Sequence, residues 1–149
     1  MYRATGTNAA IGATKSPAIL GGGTGVAPRL AEFEVCSEGA PGSDAMLTVL
    51  IRRATALGTS SAVTPGINNT GAMPAAEATF GSECTVEPTY SAGSIKPFSM
   101  NGRTVRSWGA RDDNALIWVP LTASNGIGVQ CSVVGGGTGI LRADFGWLE

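Results

Sequence analysis

Paired carboxylates are the first chemistry to test, and Asp112 and Asp113 are the only adjacent acids in the chain. Two carboxylates held close together could share general acid and base work on a glycoside or bind calcium. Adjacent side chains diverge on a strand, and Arg111-Asp112-Asp113-Asn114 has the composition of a turn whose acids cap backbone amides, which is the role expected here. Glu32 and Glu34 lie two residues apart in an alternating segment, about 7 Å from each other along one strand face. They read as charges on a solvated surface. Arg52, Arg53, Arg103, Arg106 and Arg111, interleaved with Trp108, could form a basic patch for nucleic acid or sugar, but polar rim contacts to another protein are the expected use. Trp108, Trp118 and Trp147 would make a carbohydrate platform only if two of them were exposed on one face. Asn68-Asn69-Thr70 matches a glycosylation sequon, and Gly21–Gly25 and Gly135–Gly139 are identical pentapeptides. Neither glycine run extends to a phosphate-binding motif or opens a helix, so both read as turns.

What is missing narrows the chemistry further. The chain of 149 residues contains no histidine. That excludes Ser-His-Asp and Cys-His nucleophile pairs, His-ligated zinc or iron, and any side chain with an ordinary pKa near neutrality. Cys36, Cys84 and Cys131 are odd in number and widely spaced, which gives neither a metal knuckle nor a disulfide framework, and they read as small apolar core thiols. Ten basic and eleven acidic residues leave a net charge of −1, so recognition of nucleic acid or of an anionic membrane by charge is not expected. Only 14% of residues are charged, against about 25% in an ordinary soluble domain. Small neutral surfaces of this kind suit contact with other protein. Neither a secretory signal nor a membrane span is apparent, so folding in a reducing cytoplasm is expected.

The elements that must position these residues are strands. From Arg29 the chain alternates with Phe33 and Val35 inward, and Met46 to Thr55 alternates with Leu47, Val49 and Ile51 on one face. Glu38 to Asp44 reads as a loop. Pro74 to Phe80 has the composition of a two-turn helix, with Pro at the first turn and Ala behind it. Asn101-Gly102 predicts a tight hairpin into Arg103 through Trp108. Near the end of the chain, Ile127, Val129, Cys131 and Val133, then Leu141, Ala143, Phe145 and Trp147, alternate on either side of the second glycine run, which predicts a C-terminal hairpin. Residues 1–28, rich in Ala, Gly, Thr and Asn, read as a flexible N-terminal arm ordered by docking and separable from a domain spanning 29–149. The fold class expected is all-β: an antiparallel β-sandwich or jelly roll of about seven to nine strands with one short helix and an extended arm. No residue is assigned to catalysis, to a cofactor or to a metal, and no enzymatic activity is expected.

Several segments carry a resemblance. Met1-Tyr2-Arg3-Ala4-Thr5-Gly6, Arg29-Leu30-Ala31-Glu32-Phe33-Glu34-Val35, and Leu50 through Thr59 with Thr64-Pro65 after it are similar to a family of tailed-bacteriophage capsid decoration, or cement, proteins of jelly-roll type. Ala75-Ala76-Glu77-Ala78-Thr79, Glu87-Pro88-Thr89 and a last strand ending in an acid such as Glu149 extend the likeness over most of the chain. The resemblance implies a structural virion protein, made in the host cytoplasm and seated as a homotrimer on the outside of the expanded lattice of the major capsid protein. The alternative is a carbohydrate- or receptor-binding module of a virion or tail.

Overall fold

Alternation of large apolar and polar residues lets a strand bury one face, and two such faces turned together make a core. The computed structural model describes residues 1–8, 14–38, 46–68, 74–134 and 140–149. Among them are twelve strands: β1 (Tyr2–Asn8), β2 (Lys15–Gly21), β3 (Arg29–Glu38), β4 (Met46–Ala56), β5 (Thr59–Ala62), β6 (Gly66–Ile67), β7 (Thr79–Val86), β8 (Thr89–Asn101), β9 (Arg106–Gly109), β10 (Ile117–Trp118), β11 (Gly126–Val134) and β12 (Ile140–Leu148). They form two antiparallel sheets of six strands each. Sheet A runs β10-β3-β12-β1-β6, with β9 also on β3, and sheet B runs β5-β7-β2-β11-β4-β8.

The pairing is nested. β1 pairs with β12 while β2 pairs with β11, and β3 and β4 take the other sides of β12 and β11. A long hairpin folded over on itself gives this order, which is the jelly-roll arrangement, with β5, β6 and β7 added at the edges. The expected sandwich is therefore present, and its core is built as the alternation indicated. Phe33, Val35, Leu47, Val49, Ile51, Leu141, Ala143, Phe145 and Trp147 are all buried. Trp147 stacks on Tyr2 and on Phe80, each at 6.0 Å between ring centroids, and Phe80 meets Phe145 edge-on at 5.8 Å.

Four expectations are corrected. The segment 1–28 is not an arm: β1 lies between β12 and β6, and β2 lies between β11 and β7. Their small residues reflect close approach of the two sheets, because a Cβ on Gly6 would stand 2.8 Å from the Ala18 Cβ. Second, Pro74 to Phe80 forms no helix. Thr79 and Phe80 open β7, and burying Phe80 against Phe145 and Trp147 outweighs the alanine propensity. The one helical turn among the described residues is the 3-10 turn Asp113–Ala115. Third, β11 and β12 are not a hairpin but belong to opposite sheets, as do β8 and β9 on either side of Asn101-Gly102. Local alternation specifies a buried face and not the partner strand. Fourth, the glycine run at Gly21–Gly25 is tightly packed, since a Cβ on Gly22 would run into the Pro120 carbonyl oxygen. The second run, Gly135–Gly139, lies outside the described residues, as does most of Glu38–Asp44.

Sheet B also carries a second, smaller core on its outer side. Register shifts between Ile51 and Ala56 bend the β4–β8 ribbon over the sheet. Leu57 and Tyr90 then cover Ile19, Ala54 and Cys84. The Tyr90 hydroxyl donates to Ser16 Oγ at 2.9 Å, and Arg52 stacks over the Tyr90 ring.

Because β1 and β2 contribute Tyr2, Ala18, Ile19 and Leu20 to the interior, removing residues 1–28 should leave no folded remainder. The truncated chain should lose the cooperative thermal transition and near-ultraviolet circular dichroism of the full chain. A folded 29–149 fragment would refute this account of the core.

Candidate functional site

Two surfaces gather side chains that could meet a ligand or a partner. The first is a groove of about 610 Å³ across the outer face of sheet A. Strand register lays it out in rows. Arg3, Gly146, Glu32 and Gly109 lie side by side on β1, β12, β3 and β9; Thr5, Asp144, Glu34 and Ser107 form the next row. Two glycines in one row lower the floor. A Cβ on Gly146 would stand 2.6 Å from Glu32 Cγ, so the missing side chain is what lets Glu32 reach over to Arg3. Arg3 Nε donates to Glu32 Oε1 at 2.7 Å, and its terminal nitrogen makes a second contact to the same oxygen. In the neighbouring row Arg142 Nε donates to Asp144 Oδ2 at 2.9 Å, while Thr5 Oγ1 donates to Asp144 Oδ1. The hydrogen bond to Asp144, with the attraction of its charge, holds the Arg142 guanidinium above its ordinary pKa.

The second surface is the end of the sandwich where β2 turns into β3 and β10 leads to β11. Gly22 N donates to the Asn125 carbonyl at 3.1 Å and Val119 N to the Pro28 carbonyl at 2.9 Å, so the two connections are tied together. Two carboxylates hold the chain around them. Glu149 accepts from the Glu77 amide (2.8 Å), the Ala78 amide (2.9 Å) and the Trp147 indole (2.9 Å). Glu77 in turn accepts from the amides of Gly25 (2.9 Å) and Val26 (3.1 Å). On this fixed frame Trp118 is 56%, Leu121 50% and Val26 39% exposed. Arg29 lies 5.5 Å from the Trp118 ring, and Arg53 donates to the Trp118 carbonyl at 2.8 Å.

The residues singled out from sequence are dispersed. Asp112 caps the 3-10 turn by accepting from the Asn114 and Ala115 amides, as a turn acid should, and neither Asp112 nor Asp113 lines the groove. Glu32 and Glu34 do share the outer face of β3. The arginines form no common patch: Arg52 bonds Gln130 (2.6 Å) and the Ser91 carbonyl, Arg53 sits at the Trp118 end, and Arg103, Arg106 and Arg111 are exposed elsewhere. Trp147 is buried, and Trp108 is half-buried against Phe33 at 5.5 Å. Trp118 is opposite Arg29 and Trp108 opposite Phe33, on different faces of the sheet, so the two-tryptophan platform is not assembled. In the sequon only Asn68 is described, and it is exposed. Arg3, Asp144 and Arg142 escaped the sequence reading because only strand pairing brings them together, and the Glu77–Glu149 contact because it joins a connection to the end of β12.

Cys84 and Cys131 are buried as expected, whereas Cys36 is only half-buried, facing outward on β3. Burial is the main cause that raises all three thiols, Cys84 to about 11. Among the described residues no group of His, Cys, Asp and Glu could hold a metal ion. Among them too, no helix is long and apolar enough to cross a membrane. Searches of family models, of curated proteins and of solved structures find no match to the chain.

The thiol shifts fix a pH dependence. A thiol raised in the folded state favours folding below its unfolded pKa and loses that contribution as pH rises through the folded value. Stability should therefore fall between about pH 9 and 11 as Cys84 titrates, by on the order of 2 kcal/mol. Cys84→Ala should make that limb shallower in urea titrations followed across the range, with the raised Cys36 and Cys131 thiols supplying what remains. An unchanged limb would assign the loss to other groups.

Proposed function

We propose that the chain is a structural virion protein of a tailed bacteriophage, a capsid decoration protein that docks on the outside of the major capsid lattice as a homotrimer. The observation that carries this reading is the end surface of Val26, Trp118 and Leu121, large apolar groups exposed on a frame that two buttressing carboxylates hold in place. An exposed aromatic beside a leucine, rimmed by Arg29 and Arg53, has the composition of an interface hot spot. Pre-set loops lose little conformational entropy on docking, which favours affinity without a large area.

Further support comes from the jelly-roll order, an architecture used by viral capsid and lectin domains, though that is fold-level analogy. The low charge content and near-zero net charge suit a surface covered by neighbours. A cement protein works by many copies of a modest contact, so each site needs only moderate affinity while the lattice sums the effect. The alternating segments quoted above that resemble decoration proteins point the same way.

The test is co-sedimentation of the protein with expanded capsids of tailed phages, with native mass spectrometry of the free protein alongside. The expected results are a homotrimer and saturable attachment to the outer surface. Trp118→Ala combined with Leu121→Ala should cut that attachment about 30-fold or more and leave the melting temperature nearly unchanged. Full attachment by the double variant would move the docking surface elsewhere, and failure to attach to any expanded capsid would sink the reading.

A further inference from the structure

One antiparallel ribbon joins the two edges of sheet B. β4 continues through Leu57-Gly58 into β5, while β7 continues through Glu87-Pro88 into β8. The two stretches stay opposite each other, with Ala54 facing Tyr90, Ala56 facing Thr89 and Thr59 facing Val86. The ribbon leaves the sheet beside β11, crosses the outer side of β11 and β2, and rejoins it beside β2. Within the crossing the two strands pair only with each other. The ladder of β4 on β11 ends at Ala54 with Gly126, and that of β7 on β2 ends at Ser82 with Ala18. Their mutual register is itself interrupted, with shifts between Ile51 and Ala56 and again between Thr59 and Ser61. Among the described residues no backbone hydrogen bond ties 55–59 or 83–89 to β2 or β11.

Side chains therefore hold the crossing down. Leu57 sits over Gly21 and Gly126, where added Cβ atoms would stand 2.8 and 2.7 Å from it, and Tyr90 lies over Gly128. Ile19 and Cys84 are buried beneath them. The polar fastening is incomplete. The Tyr90 hydroxyl donates to the buried Ser16 Oγ at 2.9 Å. Arg52 Nε and both carboxylate oxygens of Glu87, however, are closed off from solvent without a hydrogen bond among the described residues. Lys15 Nζ stands 3.6 Å from Glu87 Oε1, an ion pair with no hydrogen bond in it. Glu83, next to Cys84, has a φ of 52°, the one positive φ outside glycine among the described residues. Polar groups buried without partners and a left-handed side-chain-bearing residue both raise the free energy of the closed form. Lifting the crossing would rehydrate Glu87 and free Glu83 to relax.

We infer that this crossing is a strap that opens as a unit while both sheets stay folded, and that its opening brings the Cys84 thiol and Ile19 to solvent. The anchors on either side make such a local opening separable from unfolding: β4 remains paired to β11 and β7 to β2. Cys131 supplies the contrast, because it belongs to the main core between the sheets and is released only when they part. Docking at the Trp118 end is not required for the strap to open.

The test is alkylation of the full native chain with iodoacetamide at one pH, each cysteine followed by peptide mass spectrometry and its rate divided by that of the same site in the urea-unfolded chain. Cys36, half-buried on β3, should react first. Cys84 should react at least about 10-fold faster than Cys131. Low urea should barely change the Cys84 rate and should raise the Cys131 rate steeply, because a local opening exposes little surface. Tyr90→Phe removes the bond to Ser16 and should speed Cys84 about 10-fold, with its shallow urea dependence kept. Equal normalised rates and equal urea dependence for Cys84 and Cys131 in the unaltered chain would overturn the inference, as would a Cys84 rate that Tyr90→Phe leaves unchanged.

Discussion

The first and last strands of the chain lie side by side, and the rest of the molecule depends on that contact. Tyr2 on β1 is in register with Trp147 on β12, and their rings stack in the interior beside Phe80 and Phe145. Without β12, sheet A loses the strand that joins β1 to β3. Sheet B has the same dependence one layer in, where β11 joins β2 to β4. The two central strands of the sandwich therefore come from the end of the sequence, and neither sheet can be completed early. Such nesting closes long loops before it gains contacts, which makes the final core both costly to reach and difficult to leave in pieces.

That constraint also accounts for the unusual composition of the opening segment. Strands at the centre of two closely packed sheets need small residues where backbones approach, and Gly6 facing Ala18 is such a point. Ala, Gly and Thr there serve packing and not disorder. The composition looks arm-like only when read without its neighbours. The same logic explains why β3, β4, β11 and β12 were legible as strands from alternation while β1 and β2 were not: the former carry Phe33, Ile51, Val129 and Trp147 at period two. The latter carry Gly6 and Pro17, which interrupt the pattern. What alternation could not supply was the partner of each strand. The two strands around the second glycine run are neighbours in sequence and lie in different sheets.

Legibility of the candidate sites follows the same division between local and distant information. Asp112 as a backbone cap was readable because its partners are two and three residues away. Glu32 and Glu34 on one face were readable from the strand period. Their relation to Arg3, Asp144 and Ser107 was not, since it arises from register among four strands drawn from both ends and the middle of the chain. The exposed Trp118 could not be told from the buried Trp147 by type alone; only pairing of Trp118 with Arg29 at a sheet edge places it outside.

The use of charge follows from these positions. With only eleven acids, the chain commits Glu77, Asp112 and Glu149 to backbone amides. Asp144 and Glu32 are committed to arginines of the same sheet. Each of these interactions fixes a connection or an edge that alternation alone leaves undetermined. A carboxylate bonded to two or three amides restrains loops that have few apolar anchors of their own. Much of the acid content here works as internal fastening, while Val26, Trp118 and Leu121 stay exposed at the end surface. Glu34, like Glu83 and Asp113, lies outside that pattern. It shares a row with Asp144 and stands exposed on the outer face of β3, where strand period alone puts it and solvent supplies its hydration.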